Sequence, residues 1–465
     1  MPFKRIFIFI IFISTAYCGF AQQEYILTSP NNINSIKFFI QNGKPCYTVQ
    51  FQKALLLDTS ALGLQLKETD LSTNMVVEKI AQRSFNETWK PVWGISETIK
   101  NNYNELTVSL YNKETKIPLK IIFRAFDDGI AFRYELPANN KFTDFIVTEE
   151  LSSFNFADDL ESWSIPADVF AYEGLYVKAP VSKLTHVNTP ITFEGINGNY
   201  FAIHEAALYD YSEMTLMRDK KNIKQLNAFL WTDSNACKVA ASLPFVTPWR
   251  YLQTAASLEQ LVTSGIEQNL NEPCRIDDVS WIKPMKFVGI WWSMHTKEKT
   301  WYAGASHGAN TIDTKKYIDF AAKHNMGGVL AEGWNEGWET WQYGKMSVQN
   351  YVKPYPDFDL DEVVKYGKSK NVEFISHFET GGNIPMFEQQ IDTAFAFLHK
   401  LNIVALKTGY AGSIIPKGNQ HHGQYMVRHF QKVVELAAKN HVMLDVHEPI
   451  KPTGIDRTYP NLLSQ

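Results

Sequence analysis

Two hydrophobic periods divide the chain. From Tyr25 to about Cys274, apolar and polar residues alternate in short runs, as in Lys37-Phe38-Phe39-Ile40 and Cys46-Tyr47-Thr48-Val49-Gln50-Phe51, with Asn42-Gly43 between them. A period of two places successive side chains on opposite faces of a strand, and Asn-Gly supplies the left-handed residues of a tight hairpin. The device recurs: Ile121–Phe126 and Ile130–Leu136 flank Asp127-Asp128-Gly129, and Ile191–Phe193 and Tyr200–Ala206 flank Asn197-Gly198. Many short strands at close spacing predict a large antiparallel sandwich, though a meander or barrel has the same pattern.

Around Pro284 the rhythm changes. A continuous apolar run, Phe287–Trp292, is followed by a helical stretch over 314–325, then Gly328–Ala331, a helix near 361–370 and Val372–Phe378. The helix near 386–398 puts Phe387, Ile391, Ala394, Phe395 and Leu398 on one face, a spacing that requires a buried stripe. Ile403–Lys407, a helix over 424–439 with Met426, Phe430, Val433 and Ala437 inward, and Val442–Val446 complete the series. Strand then helix, repeated, predicts a parallel sheet. The pattern gives five strands, beginning near Phe287, Gly328, Val372, Ile403 and Val442. A (β/α)₈ barrel would then lack roughly three strands, leaving raw sheet edges and an exposed apolar interior. An open doubly wound sheet is the alternative, although no glycine-rich phosphate loop follows any strand.

The strands share an ending. The second runs into Glu332-Gly333-Trp334, the third into His377-Phe378-Glu379, the fourth into Lys407, and the fifth into Asp445-Val446-His447-Glu448. In a parallel barrel the carboxyl ends of the strands form the active face, and the period of two sets His377 beside Glu379. Paired carboxylates near aromatic faces can cleave a glycosidic bond, one taking a proton from water and another protonating the leaving oxygen. The same groups could instead hold a metal: zinc on His377, Glu379 and His447, or a hard ion such as calcium on a glutamate-rich set. His421-His422 and His295 are weaker candidates, as consistent with solvation or packing as with sugar contact.

Composition narrows the classes. The 465 residues carry 45 Lys and Arg against 49 Asp and Glu, a formal charge of −4, so no basic field exists to attract nucleic acid. The 30 Phe, 21 Tyr and 12 Trp suit sheet cores or a groove on which sugars stack. Lys4 and Arg5, the apolar run Ile6–Ile13, and Gly19 and Ala21 before Gln22 have the form of a secretory signal over residues 1–21. Tyr17 is too bulky for a lipid-modification box around Cys18, and no apolar run reaches the roughly 20 residues of a spanning helix. The expectation is an exported, periplasmic protein without a membrane span. Cys46, Cys237 and Cys274 then remain, an odd number without a CxxC pair, so neither a zinc knuckle nor a disulfide framework is indicated.

At these residues the sequence resembles glycoside hydrolase family 97, secreted calcium-dependent α-glucosidases and α-galactosidases. The motifs that carry the resemblance are Phe123-Arg124-Ala125-Phe126-Asp127-Asp128-Gly129, Ile203-His204-Glu205-Ala206-Ala207-Leu208, Glu332-Gly333-Trp334-Asn335, His377-Phe378-Glu379-Thr380, Lys407-Thr408-Gly409-Tyr410, and His447-Glu448 leading to Lys451-Pro452-Thr453-Gly454. The resemblance implies a multi-domain β plus α/β chain: an amino-terminal β-super-sandwich (22–275), a linker (276–285) and an incomplete (β/α)₈ TIM barrel (286–465). Gly409 stands where retaining members have an aspartate nucleophile, which implies the inverting α-glucosidase branch, acting on α-linked oligosaccharides. There Glu379 and Glu448 are the general-base pair, His377, Lys407, His447 and Trp334 contact the sugar, and Glu205 and Glu448 bind Ca2+. The family's general acid falls beyond Gln465, so this polypeptide alone is expected to be weak or inactive. The competing expectation is a non-catalytic carbohydrate-binding protein derived from such an enzyme.

Overall fold

The computed structural model describes residues 23–195, 197–234, 237–340 and 349–465; the signal read over 1–21 lies outside the described residues. The alternating half forms antiparallel sheets. Asn34–Gln41 and Lys44–Phe51 pair with Gln41 opposite Lys44. The two turn residues, Asn42 (φ 52°) and Gly43 (φ 77°), take the left-handed conformation that this hairpin needs. Residues 24–61 make a four-stranded sheet packed against a larger one that runs from Val177–Pro180 through Tyr200–Ala206, Trp249–Ala255 and Gly129–Leu136 to Met75–Trp89. Aromatic residues fill the space between, with Phe38 on Phe123 and Tyr47 on Phe132 at ring distances of 5.7 and 5.4 Å. Much of the aromatic content is therefore core.

Among the described residues the second half forms one parallel sheet of six strands in sequence order: β1 (Phe287–Gly289), β2 (Gly328–Leu330), β3 (Glu373–Glu379), β4 (Ala405–Gly409), β5 (Met443–Val446) and β6 (Leu462–Ser464). The sixth was not legible as a strand, because Leu462-Leu463-Ser464 is too short to show a period. A doubly wound sheet needs a reversal of strand order, and there is none, so the sheet is a half-barrel. Helices α1 (Thr311–Lys323), α2 (Leu360–Ser369), α3 (Ile384–Lys400) and α4 (Gln424–Lys439) connect the strands up to β5, and only a single short 3₁₀ turn, Ile455–Arg457, lies between β5 and β6. The buried stripes expected on α3 and α4 are present.

Each of these helices stops by the same local chemistry. Asn325, Asn371, Asn402 and His441 adopt positive φ two residues past the helix end. The next residue, Met326, Val372, Ile403 or Val442, donates its N–H five residues back, to Ala321, Gly367, Leu398 or Ala437. That is a Schellman closure with an apolar residue turned inward, and it delivers the chain into the following strand at a fixed angle.

The apolar interior expected to be exposed is instead covered. Leu330, Ile375, Ala405 and Met443 form one layer inside the half-barrel, at 1, 4, 7 and 2% exposure. Ile282 and Trp281 from the preceding segment and Trp93 from a sandwich loop pack over it. The open sheet therefore buries its floor against other parts of the same chain.

Candidate active site

Parallel pairing sets the polar strand ends in register: His377 opposite Lys407, Glu379 opposite Gly409, and Lys407 opposite Asp445. Glu332, two residues past β2, reaches Lys407 with Oε1 at 2.6 Å from Nζ, and its Oε2 lies 3.9 Å from His377 Nδ1. The imidazole's other nitrogen is 3.9 Å from Glu379 Oε2. Neither nitrogen of His377 has a hydrogen-bond partner although the ring is 2% exposed. A buried imidazole left unpaired is costly, and two unused polar atoms beside a carboxylate are what a site awaiting a polar ligand presents.

The two glutamates meet at adjacent backbone amides. Glu379 Oε1 accepts from the N–H of Gly381 (2.8 Å) and of Ala411 (3.2 Å), while Glu448 Oε2 accepts from the N–H of Tyr410 (3.0 Å). Burial, reinforced by the charges of Glu448 and Glu332, outweighs those N–H bonds and pushes the Glu379 carboxyl up to about 8. Burial, with Lys407 and His447 adding to it, holds the His377 imidazole well below its ordinary value, so the ring is neutral. Tyr351 donates its hydroxyl to the Glu379 carbonyl at 3.1 Å, fixing the strand end from outside.

Gly409 has a steric reason. A Cβ built there would run into Glu379 Oε2 closer than real Cβ atoms approach, and would lie 3.3 Å from His377 Nε2. The place from which a side chain of β4 would project into the site is therefore occupied by the Glu379 carboxylate.

Other expected residues fall elsewhere. Trp334 is fully buried in the core, its ring 6.1 Å from Phe358 and 6.3 Å from Phe374, so it offers no face to a sugar. An aromatic ring beside the site is that of Trp338, 5.6 Å from His377 and stacked on Trp301 at 5.0 Å. His447 is half exposed, 3.8 Å from Asp445. His295 packs among Trp291, Trp292 and Trp301. Glu332 could have been assigned from its place at a strand end; Trp338, Tyr351 and the amides of Tyr410 and Ala411 carried no sequence signal. A cavity of about 720 Å³ lined by Trp89, Trp93 and Arg457 contains none of the strand-end residues.

Glu205 does not fit the calcium role. Its Oε1 accepts from the Met214 N–H at 2.7 Å and its Oε2 is paired with Arg250, so both oxygens are already engaged at 0% exposure. Nor do His377, Glu379 and His447 assemble a zinc set: among the described residues no three His, Cys, Asp or Glu side chains stand close enough to hold a metal ion. No helix among them is long and apolar enough to cross a membrane.

Solved structures share this fold. Glycoside hydrolase family 97 enzymes from Pseudoalteromonas sp. strain K8, in complex with panose and with acarbose, superpose with a TM-score of 0.90 at 38% identity, covering 94% of this chain and 68% of theirs. A β-arabinopyranosidase shares the fold at 20% identity and a TM-score of 0.78. A retaining α-galactosidase of Bacteroides thetaiotaomicron is 24% identical over 96% of this chain and 67% of its own length; a probable one of Streptomyces bingchenggensis is 22% identical, with 59% of its length spanned. The glycosyl-hydrolase 97 N-terminal model matches residues 27–273 and the glycoside hydrolase 97 model residues 291–465, and with a half-barrel whose strand ends gather two carboxylates, the chain belongs to glycoside hydrolase family 97.

Proposed function

We propose that this protein hydrolyses terminal α-glucosidic bonds of oligosaccharides with inversion, Glu379 and Glu448 acting as the general-base pair. The observation that carries the reading is Gly409. With no side chain at position 409, the end of β4, and with Glu379 filling that space, no nucleophile projects from that position, and a double displacement lacks its covalent partner. Water held between the two glutamates is the attacking group. With its carboxyl pushed up to about 8, Glu379 takes a proton from water only in its ionised fraction, which grows as the pH rises toward that value. The neutral His377 and the Lys407–Glu332 pair are placed to hold sugar hydroxyls, and the exposed His447 contacts the sugar from the open side. The α-glucoside assignment leans on the panose and acarbose complexes of the 38% identical enzyme.

Glu448 is the residue of this chain that would face a calcium ion; with Glu205 engaged by Arg250, no step is assigned to the ion. Among the described residues none is assigned as general acid. Since such assistance is worth about 10² to 10⁴ in rate, turnover by this chain alone is expected to be slow. The signal-like segment makes the proposed enzyme an exported, periplasmic one, with domains at 22–275 and 286–465 joined by 276–285; mass spectrometry of the protein recovered from the periplasm tests the cleavage after Ala21.

Proton NMR of panose incubated with the purified chain tests the chemistry. β-Glucose as the first product supports inversion, and α-glucose overturns it. Saturable binding of panose without any product would instead support the carbohydrate-binding reading, which the unassigned acid favours.

A further inference from the structure

A second buried charged cluster, outside the strand-end site, joins the sandwich to the loops that carry it. Glu213 lies on the sandwich immediately before the strand Met214–Arg218 and is 0% exposed, as is His422; Lys451 is 1% exposed. Glu213 Oε2 accepts from the backbone N–H of Lys451 at 3.0 Å and lies 3.3 Å from His422 Nδ1, while its Oε1 is 3.0 Å from Lys451 Nζ. Its own N–H donates to the His422 carbonyl. Lys451 Nζ also donates to Thr189 Oγ1 and to the Met214 carbonyl, both on the sandwich. Burial alone would raise the Glu213 carboxyl, but His422 and Lys451 outweigh it and hold it well below the ordinary range, so Glu213 is ionised.

Both loops so held lead to one carboxylate. Lys451 follows Glu448 by three residues, on the loop after β5. His422 adjoins His421, whose Nε2 lies 3.0 Å from the Tyr410 carbonyl, and the Tyr410 N–H is the donor to Glu448 Oε2. Glu448 itself has a positive φ of 50°, a left-handed conformation that a residue with a side chain holds only when its surroundings fix it. We propose that Glu213 is a positioning residue: from the sandwich it clamps the loops after β4 and β5 and thereby sets the Glu448 carboxylate against the Tyr410 amide.

The clamp is read from geometry alone; its kinetic consequence rests on the role proposed for Glu448, and the two are tested separately. Hydrogen exchange is followed by mass spectrometry in the full chain, in Glu213→Gln and in Glu213→Gln combined with Lys451→Met, which removes the stranded cation as well. In Glu213→Gln, exchange over 409–412 and 447–453 is expected to rise at least about fivefold while the strand 249–255 is unchanged. The double variant should regain the thermal midpoint but keep both loops fast. Unchanged exchange in either loop, or an equal rise in 249–255, overturns the clamp. On panose, kcat should fall about tenfold with KM within about twofold in both variants. A double variant that regains kcat along with its midpoint would reduce the pair to a stabilising contact and overturn the positioning role. If the unaltered chain yields no glucose, the proposed function fails, and the exchange data alone still decide the clamp.

Discussion

The sandwich and the half-barrel each bury a cluster of carboxylates around a cation, and the two clusters are finished differently. In the sandwich, Arg250 donates to Glu150 at 2.8 and 2.7 Å and pairs with Glu205, Ser152 and Tyr211 complete Glu150, and Met214 completes Glu205. Both carboxylates have all their oxygens engaged, and Arg250 is 1% exposed. In the half-barrel, Lys407 satisfies only Glu332, His377 has no partner, and Glu379 and Glu448 lean on backbone amides. A closed set of buried charges is architecture; an open one is a site, because its unused lone pairs and protons are available to a substrate. The same comparison removes Glu205 from the functional residues, although its motif singled it out.

The contrast can be broken at several points. The largest effect should come from Glu379→Ala, which removes the proposed base and should slow hydrolysis of panose by about 10² to 10⁴. Gly409→Ala should approach it, at about 10²-fold, by displacing the same carboxylate without touching its chemistry. An initial rate unchanged in either variant would detach Glu379 from the reaction.

In the sandwich the expected loss is of stability. Arg250→Met leaves Glu150 and Glu205 buried without their cation, and urea denaturation should show a loss of about 3–5 kcal/mol. A loss under about 1 kcal/mol would mean that the cluster is not a closed charge set.

Titration separates the clusters next. The Glu379 carboxyl is raised from 4.5 to about 8, so the fold favours its neutral form. Its contribution to stability is complete below pH 4.5 and disappears as the pH rises through about 8. Glu205, raised by burial to about 7, and Glu267, raised by burial to about 8, give slopes of the same sign, so the difference between proteins is the measurement. Glu379→Gln should therefore unfold at a higher temperature than the unaltered chain at pH 8 and lose that advantage by pH 4. A constant difference in melting temperature across that range would contradict the buried, proton-binding state of Glu379.

The smallest effect concerns Trp334. As a core residue, Trp334→Phe should cost about 1–2 kcal/mol and leave KM for panose unchanged. A raised KM at unchanged stability would return Trp334 to the sugar site.

Periodicity alone determined the division into an antiparallel half and an alternating β/α half, because strand and helix faces repeat at two and 3.6 residues wherever one side is buried. Local chemistry also determined the hairpin at Asn42-Gly43 and the helix faces of α3 and α4. The placement of His377, Glu379, Lys407, His447 and Glu448 at strand ends was equally legible, since parallel strands align their carboxyl ends. Only the tertiary structure decided what those residues touch. Choosing between a half-barrel and a doubly wound sheet needed the strand order, and finding the covered interior needed contacts between Trp93 and strands more than two hundred residues away. Separating Glu205 from Glu379, two carboxylates at the ends of apolar strands, needed Arg250 in one place and its absence in the other. Sequence spacing reports which face a side chain takes, whereas a partner brought from a distant segment decides whether that side chain is satisfied or free to react.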